Sequence, residues 1–177
     1  MDAKKKKRII DYITYSAIIA AGIILDQITK LAAVRHLMDA GSVTFIEGFI
    51  DFTYVENRGM AWGLFAEHRW VFMVVSTVAI AVLSVFLYMR KSPNALYAIA
   101  ISCVISGGIG NMIDRIALGY VVDFIEATFI DFPVFNVADS FVTVGAFGLI
   151  ILLVADIVKE ALAESKKKKS KKEKSDD

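Results

Sequence analysis

Cysteine and histidine, the side chains that form disulfides and most metal centres, are nearly absent from this chain. Its 177 residues include one cysteine, Cys103, and two histidines, His36 and His68. A single cysteine cannot form an intramolecular disulfide or a Cys-rich metal site, and the histidines lie apart without the spacing of metal ligands. We therefore expect no disulfide, no bound metal or cofactor, and a structural role for the Cys103 thiol.

Charge is missing from several long segments. Hydrophobic residues make up 56% of the chain, above the roughly 45–50% that is usual in soluble proteins, and the mean hydropathy is +0.58. An uncharged run such as 70–89 is long enough, as a helix, to cross a hydrocarbon core of about 30 Å. The predicted fold is an all-α membrane protein with four transmembrane helices, at about 12–33, 70–89, 94–113 and 140–158.

Most basic residues lie in segments that would share one side of the membrane. The two long connections, 34–68 and 114–139, are mainly acidic, although they include Arg35, Arg58 and Arg115, whereas most Lys and Arg residues fall at 4–8, 90–91, 159 and 166–174. Because cytoplasmic loops carry the excess of Lys and Arg, both termini are predicted to be cytoplasmic.

The charge pattern also divides the chain. Residues 1–11 form a basic N-terminus, 12–158 the membrane domain, and 159–177 a Lys-rich tail that we expect to be disordered. The tail is predicted to anchor the topology near anionic phospholipid, and no nucleic-acid-binding module accompanies it. The first apolar segment is too long for a removable signal peptide, and no small-residue cleavage site follows it.

The first long connection has the composition of β-structure. Residues 45–55 are rich in aromatic and β-branched side chains, which is typical of one or two short strands. Asn57-Arg58-Gly59 follows as a turn, since Asn and Gly tolerate positive φ. We expect a small extracytoplasmic β-sheet at the membrane surface, with Trp62 and Trp70 as interfacial anchors.

Two aspartates, Asp123 and Asp139, lie at the ends of predicted spans among apolar and aromatic side chains. An ionised carboxylate at membrane depth is energetically costly, so such residues indicate a functional site. Two neighbouring carboxylates that share a proton would supply the acid and the base of an aspartyl hydrolase. Asp139 also has a structural interpretation, because Asn136 followed by Asp139 has the spacing of a helix capping box. Capping does not account for Asp123.

Three other groups of residues have structural interpretations. Asp26 and Lys30, at positions i and i+4, predict an interfacial salt bridge. The adjacent Asp114 and Arg115 predict a local ion pair or a link from helix end to loop. The glycine-rich run 107–111 allows close backbone approach, which is consistent with helix packing or with a substrate channel.

Four groups of motifs, in this order, resemble those of the lipoprotein signal peptidase family, also called signal peptidase II. They are Asp26-Gln27-x-x-Lys30; Asn57-x-Gly59-x-Ala61-x-Gly63; Gly110-Asn111-x-x-Asp114-Arg115, followed by Gly119-x-Val121-Val122-Asp123-Phe124; and Phe135-Asn136-x-Ala138-Asp139, ending at Gly145. The resemblance covers about residues 22–158. The chain departs from the residues common in the family at Met60, Trp62, Ser106 and Gly108. These departures affect only the expected shape of the substrate groove.

The resemblance implies an aspartyl endopeptidase of the bacterial cytoplasmic (inner) membrane, with its active site at the extracytoplasmic interface. Its substrates would be prolipoproteins, cut just before the cysteine that carries diacylglycerol. We expect a monomer, with membrane phospholipids as its other partners. The family's catalytic pair falls on Asp123 and Asp139. Its supporting or substrate-binding positions fall on Asp26, Lys30, Asn57, Gly59, Gly110, Asn111, Arg115, Asn136 and Ala138.

Paired aspartates at membrane depth could instead relay protons in a small proton-coupled transporter. Against this alternative, the acidic residues cluster at one interface rather than along a path through the bilayer. The two halves of the chain also show no inverted repeat, which many transporters have. A purely structural membrane subunit is a third possibility, and it leaves the paired aspartates without a role.

Overall fold

The computed structural model describes residues 2–59, 69–89 and 94–173, which fold as helices beside a small sheet. The predicted fold class is confirmed. The predicted anchor Trp62 and the other residues at 60–68 and 90–93 lie outside the described residues. The elements in chain order are α1 (Ala3–Leu37), β1 (Ser42–Ile46), β2 (Ile50–Asn57), α2 (Arg69–Tyr88), α3 (Ala95–Ala117), β3 (Val121–Ala127) and α4 (Val137–Glu173).

The helices have the length and composition of membrane spans. Within the described part of the chain, Ala3–Leu37, Ala95–Ala117 and Val137–Lys168 are long and apolar enough to cross a membrane. α2 includes the shorter apolar helix Met73–Tyr88 and has 20 residues in all, which corresponds to about 30 Å. Only 6% of the most apolar window of α4 is buried inside the protein. Its apolar surface is therefore available to lipid.

Two helices extend beyond the predicted spans. α1 begins at Ala3 rather than near residue 12, and α4 continues to Glu173 rather than ending near residue 158. The disorder predicted for 159–173 is therefore wrong. This segment is rich in Ala, Glu and Lys, which have high helix propensity. The preceding span also supplies the helix nucleus, whose formation is the unfavourable step.

The three strands form an antiparallel sheet in the order β1-β2-β3. β1 and β2 confirm the strands predicted around 45–55, whereas β3 is not predicted from the sequence. The register pairs Val55 with Asp123 and Asn57 with Val121. On the other side of β3, the Ile125 N–H donates to the Phe135 carbonyl at 2.8 Å, and the Phe135 N–H donates back at 3.0 Å. This bridge brings the start of α4 beside Asp123.

α3 is the central helix, and it packs against α1, α2 and α4. Glycines allow α3 and α4 to approach closely. A Cβ at Gly107 would collide with the Ala138 carbonyl, and a Cβ at Gly145 would lie 2.6 Å from the Ala100 carbonyl oxygen. At Gly107, the structure therefore favours the helix-packing interpretation of the glycine-rich run.

The close approach at Gly145 predicts a difference between two Gly→Ala variants in α4. Gly145→Ala would press its Cβ on Ala100 and Val104, whereas a Cβ at Gly148 meets only the Ala100 Cβ at 3.6 Å, an ordinary contact. We expect Gly145→Ala to reduce the free energy of unfolding by about 1–3 kcal/mol. Gly148→Ala should be neutral or stabilising by up to about 1 kcal/mol. Thermal unfolding in detergent measures both, and equal Tm values would contradict the α3–α4 packing.

Candidate active site

Asp123 and Asp139 converge on one cleft. Asp123 lies on β3 and is 1% exposed, whereas Asp139 lies in the first turn of α4 and is partly buried. The cleft has a volume of about 290 Å³. Its described lining also includes Asn57, Gly59, Ser76, Arg115 and residues 132–135. The structure thus brings the two predicted aspartates together.

Each oxygen of the two carboxylates accepts a hydrogen bond. Asp123 Oδ2 accepts from Asn57 Nδ2 at 2.8 Å, and Asp123 Oδ1 accepts from Asn136 Nδ2 at 2.7 Å. Asp139 Oδ1 accepts from Asn111 Nδ2 at 2.7 Å, and its Oδ2 accepts from the Asn136 backbone N–H at 3.2 Å. Three of the predicted supporting residues therefore contact the pair directly.

Asn136 and Asp139 also form the predicted capping box. The Asp139 N–H donates to Asn136 Oδ1 at 2.9 Å, while the Asn136 N–H donates to Asp139 Oδ2. The structural interpretation of Asp139 is therefore confirmed. Capping leaves Asp139 Oδ1 for Asn111 and leaves the carboxylate at the cleft, so it does not exclude a chemical role.

Burial and charge set the protonation of Asp123. Its pKa is raised to about 7, first by burial and then by the negative charge of Asp139. The hydrogen bonds from Asn57 and Asn136 and the positive charge of Lys30 oppose this rise. A carboxyl group with such a pKa retains a proton at a pH where an ordinary aspartate is ionised. Perturbed groups of this kind are concentrated at functional sites.

Behind the cleft lies a buried cluster of three charged side chains. Lys30 Nζ lies 3.0 Å from Asp26 Oδ2 and 2.9 Å from Asp114 Oδ2, and no member is more than 4% exposed. The predicted Asp26–Lys30 salt bridge is confirmed, and it is buried because α3 packs against α1. The predicted local ion pair of Asp114 with Arg115 is wrong, whereas Asp114 does provide a link from the end of α3 to the segment that follows, because its Oδ2 accepts the Val122 N–H. Adjacent residues on a helix point in different directions, and Asp114 pairs with Lys30 instead.

The other predicted supporting residues contact the side chains or the backbone that surround the two aspartates. The Gly59 N–H donates to Asn57 Oδ1 at 3.0 Å, which orients the Asn57 amide toward Asp123. The Ala138 N–H donates to Asp26 Oδ1 at 2.9 Å, and a Cβ at Gly110 would collide with the same carboxylate. Arg115 Nη1 donates to the Asn111 carbonyl at 3.3 Å.

The predicted site omits Asp114, Ser76 and residues 132–135. Asp114 stands inside one of the motifs, and its Oδ2 accepts the Val122 N–H at 3.1 Å, which ties β3 to α3. Ser76 lies in an apolar helix with no local signal, and only packing brings it to the cleft. Among the residues that the structure describes, no cluster of three or more His, Cys, Asp or Glu side chains could hold a metal ion.

The sequence model of one family, described as signal peptidase (SPase) II, matches residues 18–155. The chain belongs to the signal peptidase II family. A lipoprotein signal peptidase of Caldanaerobacter subterraneus is 44% identical over 138 residues, which cover 77% of this chain and 93% of that protein. One of Clostridium tetani is 41% identical over 153 residues, which cover 85% of this chain and 96% of that protein.

Two solved structures, each titled as a bacterial membrane enzyme, have the same fold as this signal peptidase II family member. Each is 34% identical with a TM-score of 0.74 and covers 81% of this chain. The match spans 89% of one solved chain and 94% of the other. The resemblance inferred from the motifs is confirmed. Together with the apolar helices, it identifies a bacterial membrane protein of a protease family.

The raised pKa of Asp123 predicts a pH-dependent loss of stability. The folded protein keeps a proton on Asp123 up to about pH 7, whereas the unfolded chain loses it near pH 3.9. The folded state thus binds more protons over this interval, so the contribution of Asp123 to the free energy of unfolding falls as the pH rises. The Tm of the wild type minus that of Asp123→Asn should decrease between about pH 4 and 7. A difference that is independent of pH would contradict the raised pKa.

Proposed function

We propose that this chain is an aspartyl endopeptidase that removes signal peptides from bacterial prolipoproteins, with Asp123 and Asp139 as its catalytic pair. The observation that carries the proposal is the convergence of both carboxylates on one cleft, in a member of the signal peptidase II family. Relatives named lipoprotein signal peptidase supply the substrate class. We further propose that the cut falls immediately before the diacylglyceryl-modified cysteine.

The two aspartates have different roles in this proposal. Asp123, whose pKa is raised to about 7, holds the proton at rest and donates a hydrogen bond to the scissile carbonyl oxygen. Asp139 is ionised and accepts a proton from the attacking water. Two carboxylates that share one proton provide the acid and the base without a metal ion. The division of roles is supported by the burial of Asp123 and the more accessible position of Asp139.

The proposed reaction conserves atoms and charge. The water oxygen attacks the carbonyl carbon while Asp139 takes one water proton and Asp123 gives its proton to the carbonyl oxygen. The neutral tetrahedral intermediate then loses its carbon–nitrogen bond. Asp139 passes its proton to the leaving amine, and one hydroxyl of the intermediate returns a proton to Asp123. The pair ends as it began, with one proton and one negative charge.

Arg115 provides positive charge at the same cleft. Its guanidinium interacts electrostatically with Asp139 and Asp123, and its hydrogen bond to the Asn111 carbonyl fixes its position. In the proposed mechanism, Arg115 stabilises the negative charge that the pair carries and the charge that develops on the carbonyl oxygen.

The membrane location imposes a requirement on the substrate. Helical peptide bonds inside a bilayer are hydrogen-bonded internally and shielded from water. The scissile segment must therefore be extended in the cleft, between the turn that follows β2 and the segment at 132–135. Acyl chains on the cysteine contribute roughly 0.8 kcal/mol per buried methylene, which would fix the depth of the scissile bond.

We propose that the cleft faces the extracytoplasmic side and that both termini are cytoplasmic. The contact of Asp26 with Ala138 places the cleft near the C-terminal half of α1 and the start of α4. The basic residues at 4–8 and 166–168 lie toward the other ends of these helices. Cytoplasmic retention of basic residues would orient the protein in this way. We also propose that the enzyme acts as a monomer surrounded by phospholipid.

The paired mechanism predicts the effect of isosteric substitutions. Asp123→Asn and Asp139→Asn should each lower kcat by roughly a thousandfold or more, because Asn can neither accept nor share the proton. Since the pair acts as a unit, the double variant should be little worse than either single variant. Asp131→Asn is the matched control, because this exposed residue lies on the same connection. Near-normal cleavage of a prolipoprotein by either purified variant would refute the catalytic assignment.

The proposed role of the lipid predicts a strong substrate preference. A prolipoprotein that carries diacylglycerol on its cysteine should be cleaved with a much higher kcat/KM than the same precursor without lipid. Misplacement of a scissile bond by about 1 Å can reduce the rate about a hundredfold. Mass spectrometry of the products should find one cut, immediately before the modified cysteine. Equal cleavage of both precursors would indicate a general intramembrane protease instead.

A further inference from the structure

The proposed reaction makes no direct use of Lys30, a cation that is almost completely buried. Lys30 lies on α1, and its side chain is 3% exposed between Asp26 and Asp114. Burial of a lysine is unfavourable unless partners compensate for the lost hydration. One cation between two carboxylates leaves this cluster with a net charge of −1. A purely structural role for Lys30 would explain its contacts with Asp26 and Asp114.

Lys30 has a third contact, which points toward the cleft. Its Nζ donates to Asn111 Oδ1 at 2.9 Å. A lysine ammonium has three donors and no acceptor, so the Asn111 atom that faces Lys30 must be the oxygen. The Asn111 NH₂ group must then point the other way, and it donates to Asp139 Oδ1 at 2.7 Å. Lys30 thus determines which end of the Asn111 amide meets Asp139.

A second asparagine agrees with this orientation. Asn136 Nδ2 donates to Asn111 Oδ1 at 3.1 Å and to Asp123 Oδ1 at 2.7 Å. If the Asn111 amide were reversed, its NH₂ group would face two donors, Lys30 Nζ and Asn136 Nδ2. Its oxygen would then face the carboxylate of Asp139. Every one of these contacts would be repulsive, and in a buried site each lost hydrogen bond is costly.

We infer that Lys30 is a positioning residue for Asp139, and that it acts by holding the Asn111 amide in the orientation that donates to this carboxylate. The inference rests on the proposed role of Asp139 as the base. Lys30 does not line the cleft, so it should affect the chemical step and not the binding of substrate. Without the donor from Asn111, the Asp139 carboxylate keeps only the capping bond from the Asn136 N–H. Its Oδ1, no longer held, can then turn away from the water that the carboxylate must deprotonate.

The test must distinguish the positioning of Asp139 by Lys30 from an effect of the net charge of the buried cluster. Lys30→Met alone would leave two buried carboxylates unpaired and could unfold the protein. Lys30→Met combined with Asp114→Asn keeps the net charge of the cluster at −1, as in the wild type, whereas Asp114→Asn alone brings it to 0. The double variant is therefore compared with the wild type at equal charge, and with Asp114→Asn as the reference for the lost carboxylate. A second pair, Lys30→Met with Asp26→Asn against Asp26→Asn alone, repeats the comparison at the other carboxylate. All four variants and Asp139→Asn are assayed with a diacylglyceryl prolipoprotein, and thermal unfolding reports their folding.

We expect each Lys30 double variant to have a kcat about tenfold to a hundredfold below that of its reference, with KM changed less than about twofold. Equal kcat values within both pairs would overturn the positioning role. So would unfolding of both double variants while the references remain folded, because Lys30 would then be needed only for the fold. An active Asp139→Asn variant would instead refute the proposed catalytic pair itself.

Discussion

The burial of three carboxylates at one end of the helix bundle is the constraint on which the rest of the structure depends. Asp26, Asp114 and Asp123 are at most 4% exposed, and Lys30 is the cation in contact with the first two. An ionised carboxylate in such surroundings is unstable unless donors surround it. Backbone and side-chain donors from α1, β2, β3 and the start of α4 meet this requirement. Asp123 meets it partly by retaining a proton.

The same contacts therefore hold the fold together and position Asp123 and Asp139, the proposed catalytic pair. Asp26 joins α1 to the start of α4 through the Ala138 N–H, and Asp114 joins α3 to β3 through the Val122 N–H. The Phe135 backbone then ties β3 to the segment that leads into α4. Close packing of α3 on α4 at Gly107 and Gly145 keeps these groups in register.

The sequence predicted much of this arrangement. Long uncharged segments predicted the helices, and aromatic and β-branched residues predicted β1 and β2. Carboxylates among apolar residues at the ends of predicted spans indicated Asp123 and Asp139 as a candidate functional pair. β3 was not predicted, because Val121–Ala127 shows no alternation of apolar and polar residues and its partner β2 is distant in the sequence. The length of α4 was also underestimated, because hydropathy marks the end of a membrane span and not the end of a helix.

The sequence by itself determined the membrane fold and the family, and it singled out the residues of the proposed pair, because these follow from the composition and order of local segments. Only the tertiary structure decided the partners of the charged residues. Spacing along α1 placed Lys30 beside Asp26, but it could not show that Asp114 and Asn111 of α3 complete the surroundings of Lys30. These contacts join residues that are distant in the sequence, such as Lys30 and Asn111, which are 81 positions apart. They depend on how closely α1 and α3 pack, which no local pattern of residues encodes.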